Sequence, residues 1–302
     1  MSNFNVYNLY KRSGILCIFN QILLFPGMVN RVIIEPGAKR KNYWRDLWKF
    51  RGLFYFLAWR DVIVRYKQAV IGIAWSVIKP LLTILIFAVV GKLLHIPVPA
   101  GVPRVVFVCA AILPWQFFST AFSESSNSLL ANSNLLTKVY FPRLIVPAST
   151  IIVSLIDFFT SVALMILFML YYHYVPGWNI ILMPLFLLQA TMLSMGAGIF
   201  IGALNVKYRD FKFIVPFMVQ FGLYISPVAF SSDTVFRSQG IPQVLKYVYS
   251  LNPMVGVIDG FRWCILGGGI NLYLPGFLFS IGISLLIFIV GIWYFRRTEH
   301  SF

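Results

Sequence analysis

Residues 144–206 read LIVPASTIIVSLIDFFTSVALMILFMLYYHYVPGWNIILMPLFLLQATMLSMGAGIFIGALNV, and Asp157 is the only Asp, Glu, Lys or Arg among them. A helix that crosses a bilayer takes about 20 mainly apolar residues to cover roughly 30 Å of hydrocarbon, so this run is too long for one crossing. Tyr174-Val-Pro-Gly-Trp178 supplies a turn: Pro176 and Gly177 break a helix, and the two aromatics are of the interfacial kind. The run therefore predicts two spans, 144–172 and 180–204. Outward from it, the charge-poor stretches 68–91, 105–128, 213–230 and 272–295 predict four more. The 302 residues are 59% hydrophobic and 11% charged, with a mean hydropathy of +0.81. A soluble domain carries roughly 25% charged residues. The expected fold class is an all-α integral membrane protein with six transmembrane helices.

The charges orient the spans. Twenty-five Lys and Arg stand against 9 Asp and Glu, a formal charge of +16. In a soluble protein that balance suggests nucleic acid; in a membrane protein it reflects cytoplasmic loops and anionic head groups, so no nucleic-acid partner is expected. With both termini cytoplasmic, 19 of the 25 bases lie inside, 12 of them in residues 1–67. Lys92, Arg104, Arg237, Lys246 and Arg262 lie outside, and Lys79 falls within the first span. The opposite orientation puts most of the charge on the wrong side. Cys17, Cys109 and Cys264 have neither metal-like nor redox spacing, which argues against a disulfide scaffold and a zinc site.

Three segments flank or interrupt the spans. Residues 1–41 are expected to form a cytoplasmic extension. Lys11 and Arg12 before 14–25 imitate a signal peptide only faintly, since Asn20 and Gln21 interrupt the apolar stretch and no small-x-small site follows. In 42–67, Trp44, Leu47, Trp48, Phe54 and Tyr55 gather on a helical wheel opposite Arg45, Lys49 and Arg60, although Leu53 and Phe56 fall on the basic side. That predicts an amphipathic interface helix on the cytoplasmic face, in contact with membrane lipids. Within 231–271, residues 253–266 are apolar, begun by Asn252-Pro253 and ended by Gly267-Gly-Gly269. This helix is too short to cross, and a re-entrant element on the outer side is expected. The domain boundaries are therefore 1–41, 42–67, 68–297 for the six-span domain, and 298–302 for a cytoplasmic tail.

No catalytic residue or metal ligand emerges. The single Gly-Lys pair, Gly91-Lys92, lacks the rest of a phosphate-binding loop, so the chain itself is expected to bind no nucleotide. His95, His173 and His300 lie in separate loops with no carboxylate or cysteine at ligand spacing. Charges within spans are costly, about 2.5–3.5 kcal/mol each at a helix centre. Asp157, Glu124 and Lys79 therefore either face a wet pathway or pair between helices. Trp115, Phe118 and Phe122 with Gln116, and Tyr224 before Ser226-Pro227, are candidate channel-lining residues together with Glu124; ordinary helix packing is the alternative for the aromatics. Residues 132–143 read as a short helix begun by a polar cap and stopped before Pro142. Residues 205–212 pack Lys207, Arg209, Lys212 and Asp210 beside two aromatics. Both loops suit docking to a cytoplasmic partner.

Four pieces carry a family resemblance: YFLAWRDVIVRYKQAVIGIAWSVIKPLLT (55–83), LPWQFFSTAFSESSNSLLANSNLLTKVYFPRLIVP (113–147), ALNVKYRDFKFIVPF (203–217) and LNPMVGVIDGFRW (251–263). In this order, from about 32 to 297, the chain resembles the permease subunit of bacterial polysaccharide ABC exporters, the type-2 ABC permeases for O-antigen, capsule and teichoic acid. The resemblance implies a homodimer bound to two separate ATPase subunits, which hold ATP and Mg. It implies that Leu135, Leu136, Thr137, Lys138, Val139, Tyr140 and Phe141 form a coupling helix seated on the ATPase, supported by Lys207, Arg209 and Asp210. It also implies that Asn252, Pro253, Asp259 and Arg262 belong to short helices at the outer mouth. Lys79 departs from the Gln usual in this family, the first thirty or so residues exceed its usual start, and the tail is shorter by a few residues.

The function expected is export of lipid-linked polysaccharide, of the O-antigen type, across the bacterial inner membrane, with no enzymatic site on this chain. Arg60, Arg65, Lys67 and Lys79 form a basic entrance expected to attract the lipid pyrophosphate. An ABC exporter of a small lipophilic compound or lipid is the nearest alternative; a membrane glycosyltransferase or a proton-coupled carrier is more distant.

Overall fold

The computed structural model describes residues 43–67, 72–208, 210–237, 240, 242–267 and 274–299, and among these every regular element is a helix. The expected N-terminal extension, Arg209 and the last three residues lie outside the described residues. Where one amphipathic helix was expected, the chain forms two: α1 (Tyr43–Lys49) and α2 (Arg51–Lys67), parted at Phe50. Long helices follow at α3 (Gly72–Leu93), α4 (Arg104–Ala131), α6 (Ile145–Tyr171), α7 (Met183–Lys207) and α12 (Leu274–Thr298). Between α4 and α6 sits the short α5 (Ser133–Lys138), and a 3-10 turn at Trp178–Leu182 leads into α7.

Among the described residues, five helices are long and apolar enough to cross a membrane. The sixth expected crossing is a 15-residue helix, α8 (Phe211–Ile225), about 22 Å long at 1.5 Å per residue. It stops short of Phe230 because Pro227 disfavours helical backbone at the residue before it, and Ser226 is extended at φ −82°, ψ 152°. Two short helices, α9 (Ser232–Arg237) and α10 (Gln243–Ser250), precede α11 (Pro253–Leu266), which has the bounds the sequence predicts. The Asn252 side chain accepts the Met254 N–H at 3.0 Å and so caps α11, while Gly267 ends it at φ +66°, a conformation that favours glycine.

α4 is the hub, packed by α6, α7, α11, α3 and α8. Every residue from Val106 to Leu113 is at most 1% exposed, so this stretch of the helix is enclosed on all sides and apolar on all sides. Around it, small residues let backbones approach: a Cβ on Gly196 of α7 would lie 2.5 Å from the Phe288 Cα of α12, and one on Gly291 would collide with the Gly196 carbonyl. Polar pairs add to this contact, as expected where lipid supplies no hydrophobic drive. Gln189 Nε2 donates to Ser280 Oγ at 2.8 Å, and Ser280 Oγ donates to the Pro253 carbonyl at 2.5 Å.

Side-chain contacts sort the loops to the two ends. At one end Asn205 Nδ2 donates to the Ser126 carbonyl (2.9 Å), and Arg143 Nη1 donates to the Glu299 carbonyl (2.5 Å). There Tyr43, Leu129, Phe141, Leu144, Ala203 and Phe295 form a buried cluster. At the other end the Tyr174 hydroxyl donates to the Leu266 carbonyl at 2.9 Å. α5, the end of α7 and the end of α12 thus share one end of the bundle.

Replacing Gly291 by Leu forces α7 and α12 apart, which should cost about 2 kcal/mol or more as overpacking. A thermal melt of the purified protein in detergent is expected to fall by several degrees, whereas Gly282→Leu, with open space at its Cβ, should leave it unchanged.

Candidate functional site

Three helices and the end of α2 line a half-open cavity of about 260 Å³. α2 packs along α6, and its last turn stands level with the middle of that helix: Tyr66 Oη donates to Asp157 Oδ1 at 2.6 Å, and Arg65 Nη1 lies 3.3 Å from Asp157 Oδ2. The other guanidinium nitrogen of Arg65 lies 3.4 Å from Glu124 Oε1 on α4. Burial, the Asp157 hydrogen bond and the Asp157 charge together push the Tyr66 phenol well above its usual range, so it stays a donor. Asp157 therefore pairs with Arg65 and not with Lys79. Lys79 opens into the same cavity, and among the described residues no carboxylate lies within ion-pair distance of it.

The other entrance bases separate. Arg60 makes two contacts to Asp61 Oδ1, at 2.9 and 2.7 Å, and donates to Asn132 Oδ1 at 2.8 Å. Asn132 donates in turn to the Ser128 carbonyl at 2.9 Å, so its side chain ties α2 to the α4–α5 corner and does not cap α5, as the sequence suggested it would. Lys67 is exposed at the end of α2.

α5 ends at Lys138, within the expected coupling segment 135–141 and before its last three residues. Val139 turns extended and Phe141 is 4% exposed in the cluster that holds this end. Leu135 and Leu136 pack against the same cluster. Thr137 and Lys138 are exposed, and Val139 and Tyr140 are 49% and 51% exposed, so the segment presents a ridge with a buried foot. Lys207 and Asp210 are exposed at the same end.

The aromatic residues on α4 form a stack: Trp115 to Phe118 at 5.6 Å and Phe118 to Phe122 at 5.7 Å between ring centroids. Trp115 and Phe122 are 5% and 2% exposed, and Trp115 closes over Gly222 of α8. Within one protomer they pack helices together, while Tyr224 of α8 is 67% exposed. At the far end, Arg262 of α11 is fully buried. Its guanidinium donates to the carbonyls of Phe230 (2.7 Å) and Val228 (3.0 Å) and lies 4.1 Å from the centroid of Phe107. Asp259 accepts from Ser232 Oγ at 2.5 Å, Asn252 Nδ2 donates to Ser226 Oγ at 3.1 Å, and the Pro253 carbonyl is held by Ser280. Asn252, Pro253, Asp259 and Arg262 thus join α11 to the chain leaving α8 and to α12.

Beside Gln116, the cavity also collects residues that the sequence analysis does not single out: Tyr66, Trp75, Ser76, Thr120 and Ser161. A signal was present, because Trp75 with Lys79, Gln116 with Thr120, and Asp157 with Ser161 are each four residues apart, one helical turn on one face. Among the described residues no cluster of metal-ligating side chains occurs.

A bundle of long apolar helices with an exposed ridge at one end and a buried clamp at the other is the form of a multi-pass membrane permease. The sequence model of the ABC-2 type transporter family matches residues 52–266, and the chain belongs to that family. It is 27% identical over 248 residues to an O-antigen export system permease protein from Klebsiella pneumoniae, covering 80% of this chain and 90% of that one. A permease of the same description from Myxococcus xanthus is 27% identical over 219 residues, 72% of this chain and 82% of its own. A capsule polysaccharide export inner-membrane protein from Neisseria meningitidis is 22% identical over 226 residues, covering 72% and 80%.

Arg65→Gln leaves Asp157 without its cation, and the expected loss of stability is about 1–3 kcal/mol because the pair is only partly screened. Adding Asp157→Asn should recover most of the loss. Melting temperatures of the wild type, the two single variants and the double variant test this, and strictly additive losses contradict it.

Proposed function

We propose that this chain is the membrane-spanning subunit of an ATP-driven exporter that moves lipid-linked polysaccharide, of the O-antigen type, across the bacterial inner membrane. The observation that carries the reading is its similarity, over most of both chains, to permeases described as exporting O-antigen. The chain works as a homodimer with two separate ATPase subunits, which bind ATP and Mg and supply the hydrolysis. Both termini and the end bearing α5 face the cytoplasm, a reading supported by the excess of Lys and Arg in the segments between spans at that end.

Six crossings are completed by α8 together with residues 226–230, whose non-helical chain is buried from Ser226 to Val228 and whose carbonyls at Val228 and Phe230 accept from Arg262. Such backbone is tolerated at membrane depth where protein satisfies it. α11 is then a re-entrant helix at the outer mouth, and α1 and α2 form the interface element, with Trp44, Trp48 and Tyr55 exposed toward lipid. On ATP binding, the partner pushes on Leu135–Phe141 and the 207–212 loop, and the two permease copies part along α3 and α8. The exposed side of α8, with Tyr224, then faces the opened channel, and Trp115, Phe118 and Phe122 stand behind it.

The basic entrance divides its work. Lys67 and Lys79 carry the charge available to the lipid pyrophosphate, Arg65 is shared with two carboxylates, and Arg60 is held by Asp61 and Asn132. Inactivating the partner ATPase should abolish surface polysaccharide and leave lipid-linked chains on the inner leaflet, read by surface immunoblot and by extraction of the inner membrane. Unchanged surface polysaccharide in that strain overturns the reading in favour of a secondary carrier.

A further inference from the structure

The cavity between α2, α3, α4 and α6 has more polar capacity than its own residues use. The Gln116 side-chain amide makes no hydrogen bond among the described residues, since only its backbone carbonyl accepts, from Ser119 and Thr120. The Lys79 ammonium has no carboxylate partner, as described above. Both groups open into a space of about 260 Å³, the liquid share of roughly nine water molecules. In hydrocarbon an unsatisfied polar group costs several kcal/mol, so such a space is stable when a polar ligand or water fills it.

The walls select the ligand. Trp75 and Lys79 lie one turn apart on α3 and open into the same space. Trp75 is 59% exposed and has an aromatic face to offer, whereas Phe117 and Phe158 form a buried apolar floor. Facing α3 are Gln116 and Thr120 of α4 and Asp157 and Ser161 of α6. Arg65 spends its charge on Asp157 and Glu124, so Lys79 is the cation left for an anion. An apolar ring face, a set of hydroxyl-binding groups and one cation a helical turn from the ring match a sugar joined to a phosphate.

We propose that this cavity is a subsite within each protomer for the glycosyl-phosphate junction of the exported lipid: the first sugar ring stacks on Trp75, Gln116, Thr120 and Asp157 bind its hydroxyls, and Lys79 binds the adjoining phosphate. The inference rests on the export reading and deepens it, since it makes the permease read the sugar nearest the lipid and not only the charge of the head group.

The test uses the complete complex of permease and ATPase in nanodiscs. The probes are a synthetic short-prenyl pyrophosphate bearing one hexose, the same prenyl pyrophosphate without sugar, the free hexose phosphate, and phosphatidylglycerol-rich nanodiscs with no probe. Wild type should bind the hexose-bearing probe about tenfold more tightly than the sugarless one, the scale of one good ring contact with its hydrogen bonds. Trp75→Leu should erase that preference and leave the sugarless probe within about twofold of wild type, while Trp75→Phe restores part of it. Lys79→Gln should weaken both prenyl probes by roughly tenfold. Free hexose phosphate competing as well as the prenyl probe identifies a soluble ligand as the occupant, and saturation by phosphatidylglycerol alone identifies an ordinary lipid; either overturns the assignment to the exported lipid. If wild type binds the hexose probe and its ATPase responds, but Trp75→Leu and Lys79→Gln behave like wild type, the subsite is wrong and the export reading stands. If wild type neither binds nor responds to any prenyl probe, both fail.

Discussion

The guanidinium of Arg65 sits between Glu124 and Asp157, at 3.4 and 3.3 Å, with Tyr66 donating to the same Asp157. These groups come from three helices, and Asp157, the least exposed of the three charges, has its two carboxylate oxygens taken by Arg65 and Tyr66. The network therefore fixes where α2 ends against α4 and α6, and with it the wall of the cavity. Five residues earlier on α2, Arg60 grips Asn132 at the corner where α4 becomes α5. One helix thus lines the polar cavity and also packs, through Leu53, Phe54 and Leu57, in the cluster that holds Leu135, Leu136 and Phe141 at the foot of the ridge.

Arg262 solves the matching problem at the other end. Pro227 stops α8 after 15 residues, and the carbonyls beyond it would be left without helical donors. The Arg262 guanidinium supplies two of the missing hydrogen bonds and stacks on Phe107 of the hub helix. α8 is consequently anchored where it leaves the bundle near α11, while Phe213, Phe217 and Phe221 along it remain exposed. A helix held firmly at one end and thinly packed along its length is suited to moving against its neighbours.

Much of this was legible in the sequence. The long apolar runs gave five of the six expected crossings, because their length and lack of charge leave few alternatives, and Asn252-Pro253 with Gly267 bracketed α11 to the residue. The fifth expected span runs past Pro227 because residues 227–230 are free of charge and apolar; hydropathy sees composition, whereas the backbone obeys the constraint of the residue before proline. Asp157 stood out as costly, but its partner did not, since Arg65 lies outside any span and reaches it only because α2 runs up along α6. Asn132 had the chemistry of a helix cap, and tertiary contact with Arg60 redirected it. Trp75, Thr120 and Ser161 show in the sequence only through their four-residue spacing from Lys79, Gln116 and Asp157, a pattern shared by ordinary packing until three such pairs meet around one space.

In the proposed function, nucleotide hydrolysis on a partner drives a lipid-linked glycan through a pair of these chains. The most direct measurement is flux in proteoliposomes containing the purified permease and ATPase, with fluorescent lipid-linked polysaccharide in the outer leaflet and the ATPase facing out. The account predicts that ATP with Mg moves the label into a compartment protected from an external glycosidase, and that an ATPase-inactive complex moves none. Equal protection without nucleotide, or none with it although ATP is being hydrolysed, would contradict the account.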